Sequence, residues 1–293
     1  MSICISEKLK ERAAQIEDAL SSYFTEDNAL GELTEAMKYS LLGGGKRIRG
    51  FLTLSFAEMF GGSIESAMPF ACALEMIQAY SLIHDDLPCM DDDDMRRGKP
   101  SCHKKFGEAT ALLAGDSLLT MAFEVCAGNT AVSHKSVRLA VHTLASLAGF
   151  TGMCGGQEID LADSVSTYDD LKHLHSLKTS ALIRAACLLG LYAATDDPEQ
   201  STIDAISEYA DCLGLAFQIH DDILDVTSDS ETLGKPVGSD AKNDKKTVIS
   251  YMSLDEAKAE EEAVTRRGIE ALSTFSDNEV PTELALWLMS RKN

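Results

Sequence analysis

The chain has a single tryptophan, six prolines, and 26 basic residues against 47 acidic ones. It has no uninterrupted apolar run near the roughly 18 residues that a bilayer crossing needs. Its opening stretch, MSICISEKLKERAAQ, lacks the apolar centre of a signal peptide. These absences predict a cytoplasmic protein that does not insert into membranes. The net charge of −21 speaks against a nucleic-acid partner or an anionic membrane surface, unless the basic residues are gathered in one place. Eight cysteines occur without a C-x-x-C pair, so neither a zinc knuckle nor a redox motif is written, and reduced, mostly buried thiols are expected. No G-x-S-x-G elbow or cysteine-nucleophile signature indicates covalent catalysis. No segment sustains the period-two alternation of a half-buried strand.

What the chain does have is helical spacing. Phe70, Ala73, Leu74, Ile77 and Tyr80 recur on one helix face, as do Ile203, Ile206, Ala210, Leu213 and Phe217. Pro69, Pro88, Pro100, Pro198, Pro236 and Pro281 fall at apparent breaks and leave long proline-free stretches. The pattern predicts an all-α chain with helices near 6–24, 28–42, 47–60, 66–87, 106–127, 134–150, 167–194, 201–227, 240–252, 254–275 and 281–290. No linker-like segment divides them, so residues 1–293 are expected to form one domain. The polar, glycine-bearing stretch 228–246 reads as a surface loop or a lid.

Six aspartates crowd into Asp85–Asp94, and the tetrapeptide IHDD at 83–86 returns at 219–222, followed by Asp225. Both copies end apolar helical stretches. Asp221 and Asp225 are four apart, hence on one helix face. Pro88 disfavours helix at Leu87, so the chain can fold Asp91 back towards Asp85. Carboxylates crowded at a helix C-terminus face each other and the negative end of the dipole, which is unfavourable without a cation. Carboxylate oxygens with room for water suit Mg²⁺ bridging to phosphates, whereas the Ca²⁺-loop pattern is absent. Asp93 and Asp94 read as solvated loop. His84 and His220 read either as general bases or as polar helix-end residues bonded to a nearby aspartate.

The scarce positive charge is concentrated in GGGKRIRG (Lys46, Arg47, Arg49), RRGK (Arg96, Arg97, Lys99), Lys178, and the 228–246 stretch with Lys235, Lys242, Lys245 and Lys246. Beside metal-binding aspartates, such patches suggest diphosphate held jointly by Mg²⁺ and basic side chains. Lys46 is followed by Arg47 where a nucleotide P-loop needs Ser or Thr.

Over essentially its whole length the chain resembles the trans-isoprenyl diphosphate synthases, and among them the short-chain bacterial farnesyl diphosphate synthases. The resemblance rests on LLGGGKRIRG, DDLPCMDDDDMRRGKP, GDSLL, GMCGGQEIDL, HSLKTSALI and FQIHDDILDVTSDSETLGKPVGSDAKNDKKT, in that order. It implies an all-helical barrel with a deep central cavity, usually homodimeric. It implies two Mg²⁺ on Asp85, Asp86 and Asp91 and a third on Asp221, Asp222 and Asp225, with Mn²⁺ as the expected substitute. The allylic diphosphate is then gripped by Arg96, Lys178, Thr179, Gln218 and Lys235. Isopentenyl diphosphate is met by Lys46, Arg49 and Arg97, with Gln78 and Lys245 further substrate contacts. Asp85, Asp86, Arg96, Lys178, Asp221 and Lys235 carry the chemistry in this reading.

Two departures stand out: Gln78 replaces a usual histidine, and Gly50 replaces a usual proline and is expected to loosen the turn. Tyr80 and Ser81, five and four residues before Asp85, lie roughly 6 to 7.5 Å down the helix. By resemblance an aromatic there forms the floor of the tail pocket and implies a C15 product. A C20 synthase is the nearest rival. A non-catalytic subunit would be expected to have lost ligands, a terpene cyclase would not need the Lys46–Arg49 site, and a plain metal buffer leaves GGGKRIRG unexplained.

Overall fold

In the computed structural model, residues 4–26, 30–227 and 246–291 are described. Thirteen α-helices run through them: α1 Ile5–Ser22, α2 Glu32–Leu41, α3 Ile48–Met59, α4 Ile64–Asp85, α5 Cys102–Phe106, α6 Glu108–Ala127, α7 His134–Ala148, α8 Met153–Leu161, α9 Tyr168–His175, α10 Ala181–Ala194, α11 Gln200–Thr227, α12 Leu254–Ala271 and α13 Glu279–Ser290. A π turn, Ser176–Ser180, joins α9 to α10, and a 3₁₀ turn, Val248–Ser250, precedes α12. Two-residue strands β1 Met95–Arg96 and β2 Lys99–Pro100 pair antiparallel between α4 and α5.

Local chemistry sets several of these boundaries. Ser63 and Ser66 form a capping box at the start of α4, Thr167 and Asp170 at α9, and Ser253 and Glu256 at α12. Helix α4 is apolar all round and packs against α2, α3, α6 and α10, as a central helix must. Most buried apolar residues join one core, and a second cluster of Val165, Leu171, Leu174, Ile219, Ile223, Val248 and Ala257 includes residues beside the second aspartate motif.

The fold class and most helices follow the sequence pattern, with corrections. Pro69 is the sixth residue of α4 rather than a break, which removes one intrahelical bond without ending the helix. Pro281 is the third residue of α13, where the amide would be unpaired anyway. The expected 167–194 helix is interrupted by the π turn, and α8 was not anticipated. Of the expected helix 240–252, the described part holds only the 3₁₀ turn. By length and composition alone, Glu108–Ala127, His134–Leu161 and Tyr168–Ala194 could each cross a membrane. None of the three is an uninterrupted apolar run, because polar residues and a few charges, such as Asp116 in the first, break each of them. All eight cysteines are free thiols, five of them buried.

Candidate active site

Helix α4 ends at Asp85, and the Asp91 amide donates to the Asp85 carbonyl at 2.9 Å, so the chain does fold back. Burial pushes the Asp85 carboxyl up to about 6; Lys178 opposes this, Asp91 adds to it, Arg96 opposes it and Asp86 adds again. A carboxyl in that position is short of positive charge. Asp86 is buried, and Arg96 Nε donates to its two oxygens at 3.0 and 3.2 Å. Arg96 also reaches Asp93 at 3.4 Å, and Lys104 pairs with Asp94 at 2.7 Å, while both outer aspartates stay exposed to solvent.

The β1–β2 hairpin aims the two arginines. Its turn residues Arg97 and Gly98 both have positive φ, 53° and 73°, the backbone signature of a two-residue turn matched to strand twist. Arg96 reaches back to Asp86, whereas the Arg97 guanidinium donates to the Gly44 carbonyl. A Cβ on Gly45 would lie 3.1 Å from that guanidinium, so the glycine run admits a close approach.

The turn before α3 is held from inside. Arg47 is buried and bonds Glu75 at 3.3 Å, Glu17 at 3.1 Å and the Leu41 carbonyl at 2.6 Å. Gly50 does not loosen this turn, contrary to expectation. It is the third residue of α3, and its amide donates to the buried Glu75 carboxylate at 2.9 Å, a bond that proline could not make. Lys46 lies over the Trp287 ring at 5.5 Å. Its ammonium is lowered by burial first, then by Arg291, with Asp221 opposing.

A cavity of about 430 Å³ brings together Arg49, Gln78, Tyr80, Ser81, Asp85, Lys178 and Thr179, with Met153, Cys154, Gln157 and Leu161 among its other walls. The Tyr80 hydroxyl lies 3.5 Å from Cys154 Sγ, and burial pushes the phenol well above its ordinary range. Lys178 donates to Asp160 at 2.5 Å from within the π turn. Helix α8 presses on that turn through Gly156, where a Cβ would meet the Lys178 amide nitrogen at 2.4 Å. Thr179, the next residue, donates to Gln218 at 2.9 Å and so ties the cavity wall to α11, three residues before Asp221.

In the second cluster Asp222 is buried and accepts from the Val248 amide at 2.7 Å. Asp225 is buried as well, and Asp221 is ion-paired to Arg291. His84 Nε2 lies 3.9 Å from the carboxylate of the nearby Asp116, whereas His220 is paired with a glutamate. His220 Nδ1 lies 2.6 Å from Glu261, and His84 Nε2 lies 3.1 Å from the Leu112 carbonyl, over Gly115, where a Cβ would clash with the ring. Lys235, Lys242, Lys245 and all of the expected lid except Lys246 lie outside the described residues.

The chain matches the family described as polyprenyl synthetase over residues 31–284. It belongs to the polyprenyl synthetase family. It is 47% identical over 231 residues to a farnesyl diphosphate synthase of Escherichia coli, covering 77% of each chain. It is 44% identical over 263 residues to the large subunit 1 of a heterodimeric geranylgeranyl pyrophosphate synthase of Arabidopsis thaliana, covering 87% of this chain and 70% of that one. A geranylgeranyl pyrophosphate synthetase structure from Pyrococcus horikoshii superposes with a TM-score of 0.89 at 31% identity, over 98% of both chains.

Within this polyprenyl synthetase, sequence reasoning passed over Glu75, Cys154, Gln157, Asp160 and Arg291. Gln157 and Asp160 stand inside GMCGGQEIDL, which was legible as a motif but gave no roles. Glu75 and Arg291 meet their partners 25 and 70 positions away, and nothing in the local pattern announces either contact.

Proposed function

We propose that this polyprenyl synthetase is a Mg²⁺-dependent prenyltransferase that condenses isopentenyl diphosphate with dimethylallyl or geranyl diphosphate to give farnesyl diphosphate and diphosphate. The observation that carries the reading is the single cavity that joins Asp85, Arg49 and Lys178 to Tyr80 and Ser81. Charged groups at one level and an aromatic about 7 Å down the same helix fit a substrate with an anionic head and an apolar tail.

The donor set fits the metal. Asp85, Asp86, Asp91, Asp221, Asp222 and Asp225 offer only hard carboxylate oxygen, and Asp85, raised by burial and by Asp91 and Asp86, is a site that a divalent cation relieves. Three Mg²⁺, or Mn²⁺ in their place, would supply charge neutralisation for the leaving diphosphate. The protein's own groups do the rest. Lys178, aimed by Asp160, and Arg96, aimed by Asp86, stabilise the anion as the allylic C–O bond breaks. Thr179 and Gln218 add hydrogen bonds, and Lys235 is assigned here as a further cation. Lys46, Arg49, Arg97, Gln78 and Lys245 hold isopentenyl diphosphate so that its double bond attacks the cation. The apolar cavity walls exclude the water that would quench it. The proton lost afterwards goes to the departing diphosphate.

Tyr80 favours the C15 product over C20, because its buried phenol stands across the cavity against Cys154. We assign a homodimer whose contact covers Leu112 and Leu113 on α6 and the exposed Phe150 after α7, two helices that pack side by side. The enzyme is assigned to the cytoplasm, outside membranes and without nucleic-acid partners, consistent with its charge of −21. The test is to incubate purified protein with Mg²⁺, isopentenyl diphosphate and either starter, and to chromatograph the dephosphorylated products. Farnesol is expected; geranylgeraniol selects the C20 reading, and no product from either starter overturns the proposal.

A further inference from the structure

The second aspartate cluster already holds a cation supplied by the protein itself. Arg291, immediately after α13, places Nη2 in an ion pair with Asp221 Oδ1. Its guanidinium carbon lies 4.0 Å from the centroid of the Phe217 ring, so the charge is stacked as well as paired. The arginine side chain is 9% exposed against 43% for the aspartate, so the pair lies at the edge of the protein interior. Arg291 Nε is buried with no hydrogen-bond partner, an arrangement that costs free energy and leaves the guanidinium only partly satisfied. The backbone there is pinned separately: His220 Nε2 lies 3.0 Å from the Arg291 carbonyl, while the other nitrogen of the same ring lies 2.6 Å from Glu261.

We propose that Arg291 is a tethered counter-cation for Asp221, which incoming metal and diphosphate must displace before the second aspartate cluster can act. The inference rests on the metal-binding reading above and goes beyond it by assigning what neutralises the cluster beforehand. A guanidinium and a divalent cation compete for the same carboxylate oxygens. Of the three aspartates, Asp222 already accepts from the Val248 amide, whereas Asp221 is the more exposed and the one Arg291 holds. The His220 bond to the backbone lets the side chain swing away while the segment stays attached. In the pair the guanidinium already lowers the Lys46 ammonium that lies over Trp287, so its release changes the charge around that ring.

Trp287 makes the event measurable. It is the single tryptophan in the chain, and it lies on α13 one helical turn before Arg291, with Lys46 over its ring. The experiment titrates the full chain with Mg²⁺ alone, and then with Mg²⁺ and inorganic diphosphate. Heat and tryptophan emission are followed for wild type, Arg291→Gln, Arg291→Lys and Asp221→Asn. Wild type is expected to change its emission on Mg²⁺ and diphosphate. Arg291→Gln is expected to bind Mg²⁺ about tenfold tighter, equivalent to about 1.4 kcal/mol, and to lose most of the emission change. Arg291→Lys should restore the weaker, competed binding, and Asp221→Asn combined with Arg291→Gln should abolish the tighter binding.

Equal Mg²⁺ affinity in wild type and Arg291→Gln overturns the counter-cation while leaving the metal site intact. So does a wild-type emission spectrum that stays flat through saturation. A wild type that binds no Mg²⁺ under either condition overturns the metal-binding reading, and with it this one.

Discussion

Gly50→Pro asks whether the basic turn before α3 is held by a bond that only a backbone amide can supply. In many helices proline at the third position would be harmless, since first-turn amides lack intrahelical acceptors. Here that amide donates to the buried carboxylate of Glu75 at 2.9 Å, and the same carboxylate bonds Arg47. Losing a hydrogen bond to a charged acceptor costs about 1.5–3 kcal/mol. A Cβ would also stand 2.7 Å from Ile16 Cδ1, the movable end of a fully buried side chain, adding about 1 kcal/mol. Stiffening of the unfolded chain returns about 0.4–1 kcal/mol. The net loss is about 1.5–3.5 kcal/mol, or, for a chain of this length, a melting temperature lower by roughly 2–6 °C. Because Lys46 and Arg49 flank this turn, KM for isopentenyl diphosphate should rise severalfold, with less change in kcat. Thermal melts and initial rates read both quantities, and Gly50→Ala, which keeps the amide, should show only the steric part. A proline variant with wild-type melting temperature and wild-type KM would refute the reasoning.

Three further outcomes are expected. Tyr80→Ala should open the cavity past Cys154 and shift the product beyond C15 by one or more isoprene units; an unchanged C15 product removes Tyr80 from the floor. Asp85 titrates near 6 in the fold, above about 3.9 for an unfolded carboxyl. Its contribution to stability is therefore present below about pH 4 and lost as the pH rises through 6. In metal-free protein Asp85→Asn should raise the melting temperature at pH 8, by up to about 3 kcal/mol in stability, and leave it unchanged near pH 4; a gain of equal size at both pH values would show that burial of the charge is not the cause. Asp160→Asn should lower kcat roughly tenfold or more by releasing Lys178, while the melting temperature moves little; an unaltered kcat means that Lys178 needs no such partner.

The first aspartate cluster was legible because its logic is local. A helical period runs into Asp85, Pro88 stops it, and a short loop can only bring Asp91 back. Duplication of IHDD made the second cluster legible for the same reason. What the sequence hid depends on packing between distant segments. The HSLKTSALI stretch has an unbroken helical pattern, and the π turn within it goes with two glycines elsewhere: a Cβ on Gly156 would strike the Lys178 backbone, and one on Gly214 would strike Ser180. Helix α8 was hidden by its own Gly155 and Gly156, which read as loop until a neighbour presses on them. Gly50 was misread because its amide matters only once Glu75, a turn before Gln78 on another helix, is seen beneath it.

The π turn amounts to one surplus residue in what would otherwise be a single α-helix from Tyr168 to Ala194. One residue is about 100° of helical rotation. Deleting any one position from Ser176–Ser180 would let the α pattern close, and would turn everything on one side of the deletion by that angle relative to the other. Lys178 would then lose either its alignment with Asp160 or its place beside Thr179 and Gln218. The direction of this lysine is set by a count of residues, so a deletion that removes no functional side chain at all can still dismantle the site.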